Sequence, residues 1–151
     1  MTGAAGGDAS TLRYRPVAVD ELEACAHVWR RSIDDYIGRL GQPALSEDVG
    51  PLVRLYTHLQ STDPERFVAA VREVAAGSDA GGAGGAGGEE IVGFGAAVIR
   101  ESLWYLSMLF VLPEIQGAGV GRALLEHLGP AAGDGVAFRA TATDSAQPIS
   151  N

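Results

Sequence analysis

The sequence predicts an α+β domain in which helices flank a central sheet. Apolar residues recur at intervals of three or four in three segments, as they do in amphipathic helices. Four shorter segments alternate apolar and polar residues or are almost continuously apolar, as strands do. The chain has 151 residues, the length of one ordinary domain, and 46% of them are hydrophobic, which is enough to form a core.

The N-terminal segment predicts a loose tail followed by a short strand. Residues 1–10 are rich in Gly and Ala, with neither the basic start nor the apolar segment of a signal peptide, so we expect a disordered tail. Residues 12–15 alternate apolar residues with arginines, which predicts a strand that ends at Pro16.

A long helix is predicted over residues 19–40. Its apolar positions form one stripe, and Gly41 is a natural stop. We interpret Cys25 as a small core residue and His27 as a surface residue rather than as catalytic groups. The stripe consists of Leu22, Cys25, Ala26, Trp29, Ile33, Ile37 and Leu40.

The middle of the chain predicts a second helix over residues 46–60, with Leu52, Val53, Tyr56 and Leu59 facing inward. Residues 63–76 fit two structures. Asp-Pro before an apolar stretch resembles a capped helix, whereas residues 67–71 equally fit a buried strand. Residues 77–88 contain little but Gly and Ala, which predicts a flexible hairpin loop within one domain.

The C-terminal half predicts strands, one further helix and a final strand. Residues 91–99 and Leu103–Val111 are strand-like, and the second is so apolar that we expect both of its faces to be covered. Val120–Leu128 predicts a helix with Leu124, Leu125 and Leu128 inward, and residues 136–141 predict another strand.

Composition excludes several classes of function. A formal net charge of −8 repels phosphate backbones, which argues against nucleic acid as the main partner and is compatible with a cationic amine. One cysteine cannot form an internal disulfide, and the three histidines show no metal-ligand spacing, so we expect no metal and a cytoplasmic setting. No apolar run is long enough to cross a membrane.

The segment with recognisable chemistry is a glycine-rich turn between a strand and a helix. The first turn of a helix has unpaired N–H groups and a partial positive charge, and glycines let a phosphate approach the backbone. Arg122 adds positive charge. The segment therefore predicts a pyrophosphate site that needs no lysine or metal, with N–H donors at Gly117, Ala118, Gly119, Val120 and Gly121.

Two other phosphate motifs are excluded. No lysine follows these glycines, as a P-loop requires. A dinucleotide fingerprint needs a third glycine where Arg122 stands, and it would follow the first strand of the chain rather than a late one.

Gln116-Gly-Ala-Gly-Val-Gly121 resembles the acetyl-CoA motif of the GNAT acetyltransferase superfamily, Q/R-x-x-G-x-G/A. Pro113 and Glu114 before it and Arg-Ala-Leu-Leu after it are also similar to that family. The resemblance implies a GNAT-like α+β domain over residues 11–151, with a mixed, mostly antiparallel central sheet flanked by helices. It also implies that residues 67–71 are a strand paired with residues 91–99.

The resemblance further implies a set of ligand contacts. The backbone of Leu109, Phe110 and Val111 would pair with the pantetheine arm of acetyl-CoA, and an N–H there would polarise the thioester carbonyl. Gln116 belongs to the motif, and the N–H groups from Gly117 to Arg122 would hold the pyrophosphate. The last strand would diverge from Leu103–Val111 and open the slot for this cosubstrate.

The implied reaction is direct attack of an amine on acetyl-CoA, and its catalytic residues stay unassigned. Leu103–Val111 contains no carboxylate that could serve as the base. Tyr105 and Ser107 could line the acceptor site, whereas we interpret Glu101 as a loop charge. Asp34, Asp35 and Tyr36, at the end of the first helix, either attract a cationic amine or form a plain surface cluster.

The resemblance leaves the family's last helix and final two strands without counterparts, so we expect a C-terminally truncated chain. The tyrosine that often serves as the family's general acid would lie beyond it, and Gln147 stands near the position of a cofactor-contacting asparagine. An open strand edge makes a homodimer an expectation. The alternatives to an N-acetyltransferase are a non-catalytic acyl-CoA-binding module, an inactive fragment, and a glycine turn without a ligand.

Overall fold

The computed structural model describes residues 12–74 and 88–142, so the predicted tail, almost all of loop 77–88 and Gln147 lie outside it. The elements follow the predicted order. Short 3₁₀ turns precede α1 and β2 and follow β4. The strands and helices are β1 (Arg13–Pro16), α1 (Leu22–Arg39), α2 (Gly50–Thr62), β2 (Phe67–Glu73), β3 (Glu89–Arg100), β4 (Leu103–Val111), α3 (Val120–Leu128) and β5 (Phe138–Thr141).

The five strands form one sheet in the order β1-β2-β3-β4-β5. The first four pair antiparallel and β5 pairs parallel to β4, which confirms the predicted mixed, mostly antiparallel sheet. The ambiguous segment is a strand: Phe67 lies opposite Ala96, and Glu73 lies opposite Glu89. The helical part of this segment is the 3₁₀ turn Pro64–Arg66, which precedes β2. Residues 67–71 are all buried in the sheet, which favours the strand over the helix that the local pattern also fits.

The helices cover both faces of the sheet. On one face, Trp29 of α1 contacts Phe110 edge-on at 6.5 Å between ring centroids, and Tyr56 of α2 contacts Phe94 at 5.5 Å. On the other face, α3 lies against the glycines of β3: a Cβ at Gly95 would come within 2.5 Å of Leu128 Cδ1. The lack of a side chain at Gly95 therefore lets α3 lie close to the sheet.

Three details of the prediction were wrong. Leu40 is 58% exposed, because α1 ends at Arg39 and the chain turns away at Gly41, whose φ is +71°. Helix α2 begins at Gly50 rather than at residue 46. We expected both faces of β4 to be covered, but Trp104 is the one buried residue of that strand. The second half of β4 instead borders a groove.

An ion cluster joins β1, β3 and the 3₁₀ turn that precedes α1. Glu21, whose side chain is 3% exposed, accepts hydrogen bonds of 2.8 Å from both terminal nitrogens of Arg15. Arg15 also donates to Glu89 at 2.8 Å, and Arg13 pairs with the same carboxylate. The hydrogen bonds from Arg15 lower the pKa of Glu21 below its ordinary value.

The cluster predicts acid-sensitive stability. Because the pKa of Glu21 is lowered in the folded state, its contribution is present above the unfolded pKa of about 4.3 and is lost as the pH falls through the folded value. At pH 7 we expect Glu21→Gln to lower the free energy of unfolding by about 1–3 kcal/mol, with the difference shrinking towards pH 3. Urea titrations test this. Glu23→Gln is the control, and an equal, pH-independent loss in both variants would contradict the assignment.

The contact between α3 and β3 predicts a packing effect. Gly95→Val should lower the free energy of unfolding by about 1–3 kcal/mol, because the added methyls press on Leu128 and Leu109. Gly38→Val, where nothing lies within 4 Å of the new Cβ, should stay within about 0.5 kcal/mol of the parent. Chemical denaturation measures both, and equal stability of the two variants would argue against close packing of α3.

Candidate functional site

The parallel strand β5 pairs along its whole length, but only with the first four residues of β4. Their register runs from Leu103↔Phe138 to Leu106↔Thr141, where the Thr141 hydroxyl donates to the Leu106 carbonyl at 3.2 Å. Ser107, the next residue of β4, has no partner on β3 either, because the register shifts there by one residue. In the described part of the chain, the rest of β4 pairs on its β3 side alone.

A groove of about 490 Å³ lies beside this uncovered half of β4. It is bounded by α1 on one side and by the glycine-rich turn and α3 on the other. The sequence-predicted residues of β4 and of the turn thus lie along a single groove. Its lining consists of residues 106–111 with Ser32, Ile33, Tyr36, Arg39, Ile115, Gln116, Gly117, Val120, Gly121, Leu125, Thr141 and Ala142.

The backbone of β4 directs specific polar groups into the groove. The Leu112 N–H donates to the Val92 carbonyl at 2.9 Å, so by antiparallel alternation Phe110 forms the next hydrogen-bonded pair with β3. The N–H and C=O groups of Leu109 and Val111 therefore point to the opposite, uncovered side. Of the three predicted strand residues, these two offer backbone hydrogen bonds to a ligand and Phe110 does not.

The Val111 carbonyl is already occupied by the protein. It accepts hydrogen bonds of 2.9 Å from the Ser32 hydroxyl and from the Gln116 side-chain amide. Ser32 is buried on α1, and its hydroxyl also lies 2.9 Å from the Val28 carbonyl. The groups that remain for a ligand are the N–H and C=O of Leu109 and the N–H of Val111, while Gln116 fixes the turn to the end of β4.

The glycine-rich turn presents a row of unpaired N–H groups. Gly117 and Gly119 have φ angles of +87° and +85°, a region that residues with a Cβ rarely adopt. The first helical hydrogen bond of α3 comes from Ala123 to Gly119, and within residues 12–74 and 88–142 no acceptor faces the N–H groups of residues 119–122. Among the predicted donors, the N–H of Ala118 already has an acceptor, because it donates to the Ile115 carbonyl at 3.4 Å.

Positive charge accompanies this turn. Arg122 is exposed in the first turn of α3, and none of the described carboxylates pairs with it. Arg31 of α1 pairs with Glu114 at 3.0 Å, which ties α1 to the segment between β4 and the turn. The N-terminus of α3 therefore combines unpaired donors, the helix dipole and one cation, the arrangement that binds anions.

The predicted acid and base candidates are dispersed. Ser107 lines the groove, but Tyr105 does not, and Glu101 stands exposed in the β3–β4 turn at φ +53°. Asp34 accepts a 2.8 Å hydrogen bond from the Leu45 N–H, and Asp35 pairs with Arg39. Neither carboxylate lines the groove, so the interpretation of these two as surface charges fits their positions better than a role in attracting an amine.

Two polar or charged residues of α1 line the groove without a role in the sequence prediction. Ser32 is a polar residue on the buried side of α1, and that mismatch was a signal of a specific partner. Arg39 is the last residue of α1, where a positively charged side chain is common, and nothing in the sequence shows that it faces β4.

Cys25 is fully buried and burial raises the pKa of its thiol, which agrees with its interpretation as a core residue.

Metal-binding clusters and membrane-spanning helices are both missing from the described residues. No group of three or more His, Cys, Asp or Glu side chains is arranged there to hold a metal ion. In the same part of the chain, no helix has the length and hydrophobicity required to cross a membrane.

Residues 68–149, more than half of the chain, match the sequence profile of the acetyltransferase (GNAT) domain. The chain belongs to the GNAT acetyltransferase family. The family resemblance of the motif at residues 116–121 is thereby confirmed. No curated protein matches the sequence at a significant level.

Two solved structures with TM-scores above 0.5 support the GNAT fold. An acetyltransferase candidate from Clostridium difficile 630 has a TM-score of 0.57 at 10% identity, over 92% of this chain and 83% of that chain. An acetyltransferase from Thermus thermophilus has a TM-score of 0.52 at 25% identity, over 83% and 71%. The PaiA N-acetyltransferase from Thermoplasma acidophilum, solved with coenzyme A, has a TM-score of 0.49 at 18% identity, over 76% and 67%. Of two longer matches, from Pyrococcus horikoshii and the NatC complex, the chain spans only 36% and 64%.

The backbone conformation of the glycine-rich turn predicts opposite effects of alanine substitutions at Gly119 and Gly121. Gly119→Ala should lower the free energy of unfolding by about 1–2 kcal/mol, because φ of +85° is strained for alanine. Gly121→Ala should leave it unchanged or raise it by up to about 1 kcal/mol, because Gly121 is helical and its new Cβ would lie 3.9 Å from its nearest neighbour. Thermal and chemical denaturation measure both. Equal effects would mean that Gly119 does not adopt this conformation.

Proposed function

We propose that this GNAT-family protein binds acetyl-CoA and transfers its acetyl group to an amine. GNAT acetyltransferases generally depend on acetyl-CoA. The observation that carries the proposal is the alignment of two sets of unpaired backbone groups along one groove. One set belongs to Leu109 and Val111 of β4, and the other belongs to residues 119–122 at the start of α3.

The α3 end of the groove fits a pyrophosphate. Up to four consecutive N–H groups, from Gly119 to Arg122, would donate to phosphate oxygens at the positive end of the helix dipole. Gly117 and Gly119 have nothing within 4 Å of where a Cβ would stand, so the anion would meet backbone rather than side chains. The N–H of Ala118, already bonded to Ile115, would contribute least.

The β4 side of the groove fits the pantetheine arm. The arm contains amide groups, which would pair with the N–H and C=O of Leu109 and the N–H of Val111 as an added strand does. Among the described residues, β5 pairs with β4 only as far as Leu106, so this edge of β4 is open to such a ligand. Ser32 and Gln116 hold the Val111 carbonyl, so they position the strand end and would not contact the arm through that oxygen.

The transfer requires one bond to form and one to break. The lone pair of the amine nitrogen attacks the thioester carbon, and whichever N–H of Leu109 or Val111 is not paired with an amide of the arm stabilises the negative charge that develops on the carbonyl oxygen. The carbon–sulfur bond then breaks, the amine loses a proton, and the thiolate of CoA gains one. Alignment of the two substrates supplies much of the acceleration. No described carboxylate lines the groove, so we assign proton removal to water and leave the catalytic side chains unassigned.

The same observation supports a second candidate function. Within the described lining, the ionisable side chains are Tyr36 and Arg39, and neither is a carboxylate or an imidazole, the usual general bases. A groove of this kind would also suit a module that binds acyl-CoA without turnover. Binding of acetyl-CoA is common to both candidates, and release of free CoA thiol in the presence of an amine distinguishes them.

Gly121 offers a direct test of cosubstrate binding. Gly121→Glu places a negative charge beside the proposed pyrophosphate, and we expect it to weaken acetyl-CoA binding at least about tenfold, or about 1.4 kcal/mol. Gly121→Gln has nearly the same size without the charge and should weaken binding much less. Calorimetric titration of acetyl-CoA into each protein measures the dissociation constants.

Gly121→Glu is not expected to lower the stability of the fold. A glutamate in the first turn of a helix is favourable to folding, so unfolding is not expected to explain a loss of binding. Circular dichroism of each variant checks the fold independently. If the folded parent binds no acetyl-CoA, or if Gly121→Glu binds it as tightly as Gly121→Gln, the proposed pyrophosphate site is wrong.

A further inference from the structure

The charge of the groove contrasts with the charge of the whole chain. The chain carries a formal net charge of −8, yet among the described residues that line the groove Arg39 is the one with a charged side chain. The two nearest acidic residues on α1 face elsewhere, since Asp34 accepts the Leu45 N–H and Asp35, which pairs with Arg39, does not line the groove. Among the described lining residues, Arg39 is therefore the one charged group that an acceptor in the groove would meet, and its partner Asp35 lies outside the lining.

Arg39 is held in place but not fully used. Its Nη2 donates to the Asp35 carboxylate at 2.6 Å and its Nε to the Asp35 carbonyl at 3.3 Å. Its Nη1 has no acceptor in the part of the chain that the structure describes. The side chain is 55% exposed, so a ligand in the groove can reach it. Asp35 thus orients the guanidinium and leaves donor capacity free.

Tyr36 and Ser107 add neutral polar groups to the same groove. Neither forms a side-chain hydrogen bond with the other described residues, so both hydroxyls can interact with a bound substrate. A guanidinium is the group best matched to a carboxylate, because it offers several N–H donors in a planar fork. An amine that also carries a carboxylate therefore satisfies this set of side chains better than a polyamine does.

We propose that the acceptor is an amine that carries a carboxylate, of the amino-acid class, and that Arg39 pairs with this carboxylate. This inference rests on the proposed acetyl transfer and names its substrate class. The carboxylate would lie at the α1 side of the groove and the amine would face β4, where the N–H groups of Leu109 and Val111 point. A diamine or a polyamine carries no carboxylate and would leave this free donor capacity of Arg39 unused.

The experiment uses paired acceptors with the full chain saturated with acetyl-CoA. Each of a set of amino acids is compared with its own amide, which keeps the amine and side chain but lacks the carboxylate, and spermidine is included as a polycation. Acetylation is followed by release of CoA thiol. Acceptor binding is measured by calorimetry with the CoA-saturated protein, so that a slow reaction does not conceal binding.

We expect at least one amino acid to react and bind at least about tenfold better than its amide. Arg39→Gln should remove this preference and leave the dissociation constant of acetyl-CoA within about twofold of the parent. Arg54→Gln is the matched control, because it removes one exposed arginine from α2, away from the groove, and should keep the preference.

Several results would overturn the inference. One is that no amino acid binds or reacts better than its amide. Another is that spermidine is preferred, and a third is that the preference survives Arg39→Gln. Failure of the parent to bind acetyl-CoA is a different outcome, because it would contradict the proposed function itself and the inference with it. Binding of acetyl-CoA without any carboxylate preference contradicts the inference alone.

Discussion

The site depends on one limit in the sheet: within the residues that the structure describes, β5 pairs with the first four residues of β4 and with none beyond Leu106. A strand inside a sheet normally satisfies its backbone on both sides, and unpaired buried N–H and C=O groups are unfavourable. Beyond Leu106, the outward-facing groups of β4 instead border a groove. The Val111 carbonyl is satisfied by Ser32 and Gln116, which leaves a short, defined set of donors and acceptors on Leu109 and Val111.

The position of α3 follows from packing on the other face of the sheet. Gly93 and Gly95 lack side chains where Leu124 and Leu128 lie, so α3 can approach β3 closely. The Trp104 indole donates to the Leu128 carbonyl at 2.8 Å, which ties the end of α3 to the start of β4. With its C-terminal end fixed in this way, the helix directs its N-terminal N–H groups along the same groove as β4. The core thus aligns the two halves of the site.

The sequence was sufficient for most of the elements and for the turn, because local patterns encode them. Hydrophobic spacing predicted α1 and α3, and the glycines at 117, 119 and 121 predicted a strand–turn–helix anion site. The strand at residues 67–71 required the family resemblance, since its local pattern also fits a helix and burial in the sheet decides between them. Two features depend on how α1 crosses β4, and no local sequence pattern predicts that crossing. They are the hydrogen bond from Ser32 to the Val111 carbonyl and the position of Arg39 in the groove.

The most direct test of the central claim is amide hydrogen exchange of individual β4 and α3 residues with and without acetyl-CoA. Without it, the amides of Leu109 and Val111 should exchange faster than that of Phe110, which is bonded to β3. With it, Leu109, Val111 and residues 119–122 should become protected, while Phe110 should change little. Equal protection of all three β4 residues without the ligand, or protection confined to other segments when it is added, would contradict the account of the groove.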